Sequence, residues 1–348
     1  MAEQTYWIMS KIVCFGELML RLAPEGYERF VQAKKLNVEF GGAEANVAVS
    51  LANYGADCAF VTKLPQNQLG QAALNSLRRY GVDVSHVARG GERLGIYFLE
   101  KGAAQRSSLC IYDRAHSSFA ESSPNDYDWG KIFAGAKWFH ITGVTPALSK
   151  NCESLALESC KEAKRLGLKI SCDLNYRSKL WSMQKAKKVM TEISKYVDLC
   201  ITNEDDLKNV FGIKTNHTDT DSGIIDVEAY KKTILLAAKK YGFSQIALTL
   251  RKSISASKNN WSAIFFDGEK IFQSRAYDID IVERVGSGDA FAAGLIFALN
   301  ENFSAHDALE FATAAGCLKH SVEGDFNMVS AEEVERLVHS SGSGRVIR

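Results

Sequence analysis

Apolar residues fall along this chain in two alternating patterns: short continuous runs, and longer stretches in which they recur every three or four positions. Ile12-Val13-Cys14-Phe15-Gly16 is a compact run suited to a strand buried on both faces. The stripe Val47, Leu51, Tyr54, spaced four and three, predicts a helix ended by Gly55. The alternation then continues: strand over 58–64, helix over 69–80 stopped by Gly81, strand over 137–141, helix over 149–166 stopped by Gly167, strand over 168–173. Strands over 197–202 and 244–250 flank a helix over 227–241 stopped by Gly242. Ser304 with Asp307, and Ser330 with Glu333, predict capping-box starts for two later helices. Strand–helix–glycine units in this order predict an α/β fold, a mostly parallel central sheet with helices on both faces.

Two stretches break the rhythm. Residues 21–40 mix charged and aromatic side chains without a helical period, and 95–100 with 107–112 read as paired strands with no helix between them. Together they predict a small antiparallel lid built from segments at about 21–40 and 93–114, although an ordinary edge hairpin fits the second stretch equally well. With no internal repeat or low-complexity linker, the expectation is one domain over 11–338, with 1–10 and the Ser/Gly-rich 339–348 as flexible termini.

Composition narrows the partners. Lys plus Arg (42) against Asp plus Glu (41) leaves no excess charge to hold a polyanion, which argues against nucleic acid and anionic membrane surfaces. No apolar run approaches the length of a membrane span. The eight cysteines are scattered through apolar stretches without Cys-x-x-Cys or zinc-ligand spacing, so they read as reduced core thiols. With no secretory h-region at the N-terminus, the expected location is the cytoplasm.

The candidate chemistry lies at Val285-Gly286-Ser287-Gly288-Asp289-Ala290-Phe291, a glycine loop that enters a small-residue helix. Amides at a helix start lack intrahelical acceptors, and with the helix dipole they form a site that glycines let a phosphate approach closely. A carboxylate there repels an anion at rest, so Asp289 makes sense if it takes a proton from an attacking hydroxyl during phosphoryl transfer. A glycine turn with Asp289 as an N-cap fits the same residues. Neither the dinucleotide fingerprint, which needs glycine where Phe291 stands, nor a Gly-Lys-Ser/Thr triplet is present.

Two separated motifs point the same way. Gly41-Gly42-Ala43-Glu44-Ala45-Asn46-Val47-Ala48 and Val285-Gly286-Ser287-Gly288-Asp289-Ala290-Phe291 resemble the N- and C-terminal signatures of the ribokinase-like, or PfkB, carbohydrate kinases, in family order and across about 11–338. The resemblance implies a three-layer α/β fold with a β-sheet lid, and ATP with Mg2+ as donor. It implies that the amides of Gly286, Ser287 and Gly288 hold the migrating phosphoryl group, that Asp289 is the general base, and that Gly42 and Asn46 line the sugar pocket. Relatives often pair through the lid, so a homodimer or larger homo-oligomer is expected.

Within that family the chain resembles the kinases of 2-keto-3-deoxygluconate. Gly95-Ile96-Tyr97 and Tyr112-Asp113-Arg114 match their lid pattern, Asp173-Leu174-Asn175-Tyr176-Arg177 their pocket arginine segment, and Gly324-Asp325-Phe326-Asn327 their C-terminal pocket motif. By that match Tyr97, Tyr112, Arg114, Arg177 and Asp325 contact a sugar acid. Arginine forks suit its carboxylate, because they bind it bidentately. Asn203, Thr249 and Arg251, with Gly286 and Gly288, fall where the family binds nucleotide; Arg251 stands where many relatives have glycine. Asp206 takes the position of a glutamate near the metal, one methylene shorter, so its expected contact to Mg2+ runs through water. Glu283-Arg284-Val285 replaces a frequent Asp-Thr-Thr, and no monovalent-cation site is carried over. The expected activity is transfer of the γ-phosphoryl group of ATP to the 6-hydroxyl of 2-keto-3-deoxygluconate. The alternatives are a kinase of a neutral sugar such as fructose or ribose, and a catalytically silent sugar-binding or regulatory protein.

Overall fold

The run Ile12-Val13-Cys14-Phe15 forms the inner part of β1 (Lys11–Phe15) in a computed structural model that describes residues 11–215 and 227–340. After it come β2 (Met19–Ala23), β3 (Asn37–Gly41), α1 (Ala43–Asn53), β4 (Cys58–Val61), β5 (Lys63–Leu64) and α2 (Gln68–Arg78). Next are β6 (Ala88–Arg89), β7 (Ile96–Glu100), β8 (Leu109–Asp113), α3 (Trp129–Ile132), β9 (Ala136–Thr142), α4 (Lys150–Arg165) and β10 (Lys169–Asp173). Then follow α5 (Met183–Ser194), β11 (Leu199–Asn203), the short α6 (Glu204–Asp206) with a π-helical turn (Leu207–Phe211), and α7 (Val227–Tyr241). The chain continues through β12 (Gln245–Ser255), β13 (Lys258–Phe266), β14 (Ile271–Gln273), β15 (Tyr277–Asp280), α8 (Ser287–Asn300), α9 (Ala305–Lys319) and α10 (Ala331–Val338).

The principal sheet has nine strands, ordered β14-β13-β12-β11-β10-β9-β1-β4, with β15 also pairing β13. From β4 to β12 every pairing is parallel; β13, β14 and β15 add antiparallel pairings at one edge. Strand period sorts the side chains between two cores. Ile12, Cys14, Cys58, Phe60, Leu199 and Ile201 face the layer holding α1, α8 and α9, while Val13, Phe15, Ala59, Val61 and Cys200 face the layer holding α4, α5 and α7. The fold is therefore the expected three-layer α/β arrangement. The eight cysteines are all free; Cys110 and Cys317 are only partly buried, the other six fully.

A separate four-stranded sheet, β3-β2-β7-β8, projects from the body. It is mixed rather than antiparallel: β2 and β7 are the outgoing strands of two hairpins that leave the body side by side, and they pair in parallel. Register places Glu39, Arg21, Tyr97 and Tyr112 in one row across it, and Val38, Leu22, Phe98 and Ile111 in a row on the opposite face.

Local signals account for most helix ends. Gly167, in the left-handed region at φ 80°, closes α4. Ser330 and Glu333 close a full capping box, the Ser330 amide meeting Glu333 Oε2 at 2.9 Å. At α9 the box stays open: Ser304 accepts from the Asp307 amide at 3.2 Å, but the shorter Asp307 side chain takes the Ser304 hydroxyl at 2.7 Å instead of reaching the backbone. Of the segments expected to be flexible, 1–10 and all but the first two residues of 339–348 lie outside the described residues. His339 and Ser340 cap α10, and Arg275 donates to the Ser340 carbonyl at 3.1 Å.

α8 is apolar all round because it is enclosed; Phe291 is fully buried with its ring edge-on to Trp261, centroids 6.2 Å apart. Phe291→Ala should cost about 3–5 kcal/mol of stability. Urea unfolding followed by circular dichroism should show this as a clear drop in midpoint.

Candidate active site

The glycine loop forms as a helix entry. Gly286 sits at the start of α8 with φ 82°, a left-handed conformation, and a Cβ there would lie 2.3 Å from the Asp325 carbonyl oxygen. Only glycine fits on both counts. Among the described residues no acceptor meets the backbone N–H of Gly286, Ser287 or Gly288. Those three donors line a cavity of about 360 Å3 that opens at the carboxyl ends of the parallel strands, where ligands settle in open α/β sheets.

Asp289 is not the helix cap. It occupies the third position of α8, half-buried on the cavity wall, and its Oδ2 accepts from Asn46 Nδ2 at 2.7 Å. Burial raises its pKa to about 7, the nearby Asp325 and Glu44 carboxylates adding to the shift while the Asn46 bond and Arg177 oppose it. Asn46 is held in turn: its Oδ1 accepts the Gly42 amide at 3.3 Å.

The other residues singled out from the sequence converge on the same cavity. Gly42, Tyr97, Tyr112, Arg114, Arg177 and Asp325 line it, as do Asn203, Asp206, Thr249 and Arg251. Two of them arrive already engaged. Arg114 gives its Nε to Glu17 at 2.8 Å and its Nη2 to the same oxygen, both partners buried, so its charge is matched before any ligand enters. Asp325 accepts from Arg21 Nη1 at 2.6 Å and from the Tyr97 hydroxyl at 2.5 Å. Arg177 differs: it is exposed, and among the described residues it meets no carboxylate within ion-pair distance, only its neighbour's carbonyl at 3.0 Å.

On the opposite wall Asn203 caps α6. Its Oδ1 accepts the Asp206 amide and its Nδ2 donates to Asp206 Oδ2, each at 2.9 Å, and burial pushes the Asp206 carboxyl up to about 6. Arg251 lies over the Trp261 ring, 5.2 Å from its centroid, with Nη2 3.4 Å from Ser287 Oγ. Among the described residues no group of three His, Cys, Asp or Glu side chains is placed to hold a metal ion.

Several lining groups escape sequence reasoning. Glu44, within the first glycine motif, is buried and its Oε1 accepts from the Thr142 amide (3.0 Å), the Thr142 hydroxyl (2.8 Å) and the Thr145 hydroxyl (2.7 Å). It staples the start of α1 to the end of β9. A charged residue inside an otherwise small and apolar helix start was its only signal. Asp173, at the end of β10, has a carboxyl held well above the usual range by burial, with Asp206 and Asp289 nearby. Behind the lining, Arg21 carries no sequence signal, because its partners Glu283 and Asp325 lie 262 and 304 residues away.

No described helix is long and apolar enough to cross a membrane. The crystal structure of 2-dehydro-3-deoxygluconokinase from Thermotoga maritima is 46% identical to this chain and superposes with a TM-score of 0.92, covering 95% of this chain and 99% of that one. The 2-dehydro-3-deoxygalactonokinase of Haloferax volcanii is 30% identical over 335 residues, 96% of this chain and 98% of the relative. The 2-dehydro-3-deoxygluconokinase of Thermoproteus tenax is 28% identical over 338 residues, 95% of this chain and 94% of the relative. The model of the pfkB family carbohydrate kinases matches residues 9–331. With both of its glycine signatures turned onto one cleft and that match running through nearly all of its length, this chain belongs to the PfkB family of carbohydrate kinases.

Proposed function

We propose that this kinase moves the γ-phosphoryl group of ATP to the 6-hydroxyl of 2-keto-3-deoxygluconate, in the cytoplasm. The observation that carries the proposal is the pairing, in one cavity, of a half-buried carboxylate at the rim of three open amides with an arginine that has no carboxylate partner among the described residues. The relatives named above act, by their names, on ketodeoxy sugar acids of the gluco and galacto series. The greater identity with the Thermotoga maritima enzyme favours the gluco epimer.

In this reading Asp289 accepts the proton of the attacking hydroxyl while Asn46 fixes the direction of its carboxylate. The amides of Gly286, Ser287 and Gly288 stabilise charge on the phosphoryl oxygens as it transfers. Asn203, Thr249 and Arg251 face the nucleotide, and Gly42, Tyr97, Tyr112, Arg177 and Asp325 face the sugar acid. Bound Mg2+ supplies charge neutralisation on the phosphates. Asp206 suits an ion held mostly by phosphate and water, since among the described residues no cluster of protein ligands competes for it. The projecting sheet closes over the sugar and keeps water from acting as acceptor. Its outward row of Val38, Leu22, Phe98 and Ile111, with both ends exposed, suits pairing with a second copy of the chain. Val38→Asp together with Ile111→Asp should shift the protein to monomer in sedimentation velocity.

One observation favours a neutral sugar instead. Arg114 is neutralised by Glu17, which leaves the acid function to Arg177 alone. Arg177→Ala separates the two readings. For the acid substrate it should raise KM about 10- to 100-fold, as loss of a charge-assisted pair of ~1.5–3 kcal/mol implies. A coupled ATP-consumption assay over ketodeoxy acids, fructose and ribose, with and without Mg2+, checks this; an unchanged KM for the acid would favour the neutral sugar.

Asp289 must be ionised to accept a proton, and its raised pKa places that ionisation at about 7. The kcat/KM profile should therefore rise with pH through that region and flatten above it. Asn46→Ala removes the bond that favours the charged form, so the acid limb should move to higher pH. Asp289→Asn should lower kcat by about 10²–10⁴ while sugar binding, followed by calorimetry, survives.

A further inference from the structure

We infer that the side chain of Lys319 is a tethered monovalent cation: its ammonium does, as part of the chain, what a free potassium or ammonium ion would do in organising the backbone behind the phosphate cradle. The inference rests on the cradle described above and adds to it a positioning residue.

Lys319 is the last residue of α9 and has no exposed surface. A lysine buried this completely is ordinarily paired with a carboxylate. Here, among the described residues, no carboxylate oxygen lies within ion-pair distance of Nζ. It donates instead to two backbone carbonyls of the turn that follows the helix, Val322 O at 3.0 Å and Gly324 O at 2.8 Å. A compact charge held by backbone carbonyl oxygens, two of them here, is the kind of contact that proteins offer to monovalent cations. Burial lowers the pKa of this ammonium to about 8, with Glu283, Asp325 and Asp289 pulling it up and Arg21 pushing it further down, so it is charged at neutral pH.

What the cation holds in place is the wall of the cradle. The turn runs directly into Asp325, whose carbonyl oxygen lies 2.3 Å from where a Cβ on Gly286 would be, and Lys319 Cε lies 3.1 Å from the same point. The loop on the other side is fastened to the same helix end: the amides of Val282 and Glu283 both donate to the His320 carbonyl, at 2.9 and 3.0 Å. Without a cation between them, the Val322 and Gly324 carbonyls face one another across a dry gap. The turn would relax and Gly286 would lose its support. Misplacement of the cradle amides by about 1 Å is enough to cost on the order of a hundredfold in rate.

Chemical rescue tests this. Lys319→Ala should be measured alongside wild type and Lys319→Met in choline, potassium and ammonium chlorides at matched ionic strength, with thermal midpoint and kcat as readouts. In choline the alanine variant should melt lower than wild type, with kcat down on the order of tenfold to a hundredfold and KM for ATP much less changed. Potassium or ammonium should raise its melting point and kcat together along one saturation curve. Wild type should be indifferent to the cation, and Lys319→Met, whose thioether fills the space without charge, should not be rescued. Wild-type turnover that depends on potassium, an alanine variant that responds to no cation, or equal rescue of the methionine variant would overturn the inference. Should Lys319→Ala not fold, Lys319→Ser, which vacates the same space, takes its place in the rescue, and a serine variant that responds to no cation overturns the inference equally. The melting curves stand even if no sugar acid is turned over, so failure of the substrate assignment remains distinguishable from failure of this one.

Discussion

The arrangement of the cleft depends on the fork of Arg21. This guanidinium, 2% exposed on the central strand of the projecting sheet, gives Nη1 to Asp325 and Nη2 to Glu283, each at 2.6 Å. Three segments far apart in sequence thereby meet: β2, the loop leading into the phosphate cradle, and the turn after α9. Glu283 extends the connection, because its second oxygen accepts the amides of Arg284 at 3.0 Å and Val285 at 3.3 Å. The Tyr97 hydroxyl closes it from β7 onto Asp325. Such a cluster gives little net stability, since desolvation offsets most of the attraction. Removing one member, however, strands a buried charge at a cost of roughly 3–5 kcal/mol. The network is therefore better understood as fixing geometry than as holding the fold together. It sets the distance between the projecting sheet and the open amides at the start of α8.

The cavity contains more acid than a site for two anions would suggest. Glu17, Glu44, Asp173, Asp206, Asp289 and Asp325 all line it. Half of them are held by two or three strong donors: Glu17 by Arg114 and Ser117, Glu44 by two hydroxyls and an amide, Asp325 by Arg21 and Tyr97. The remaining three, Asp173, Asp206 and Asp289, each have a carboxyl raised chiefly by burial, and at Asp173 the charges of the other two add to the shift. In the proposed reading, an entering sugar acid or nucleotide adds negative charge to this cavity, and its affinity comes from the open amides, from Arg177 and Arg251, and from a divalent cation carried on the phosphates.

Much of this could be read from the chain because it is written in local signals. The strands around β1, the serine-capped and glycine-stopped helices, and the helix entry at Gly286 each follow from a few consecutive residues. What could not be read depends on sequence-distant partners or on blurred periodicity. α5 buries Ala186, Val189, Met190 and Ile193, but lysines interleave them and mask the stripe. The antiparallel strands β13 to β15 look like an extension of β12 until pairing gives them direction. The partners of Arg21 lie 262 and 304 residues away, beyond any pattern rule. All the residues proposed for the site did reach the cavity, yet their states differ in ways no motif encodes. Arg114 and Arg177 look alike in sequence; one is buried against a glutamate and the other faces the cleft.

That difference bears on how an acid is selected. Arg114, 8% exposed and 5.5 Å from the centroid of the Tyr112 ring, is a wall of the pocket whose charge is already matched. It can orient a hydroxyl through what remains of its fork, but a carboxylate bound there would have to compete with Glu17. Arg177 has no such competitor. It follows Asn175, a residue at φ 39° in the left-handed region, whose buried side-chain oxygen finds no partner among the described residues. A strained turn of this kind persists only when its surroundings over-determine it, and here the Asp173 side chain accepts the Asn175 amide at 3.1 Å. The strain sits at the end of β10 and aims the next exposed cation at the cleft mouth. In the proposed reading, recognition of the acid group rests on one loop arginine placed by a distorted turn, and recognition of the sugar hydroxyls on Arg114 and Asp325, whose own hydrogen bonds to Glu17, Arg21 and Tyr97 already fix them.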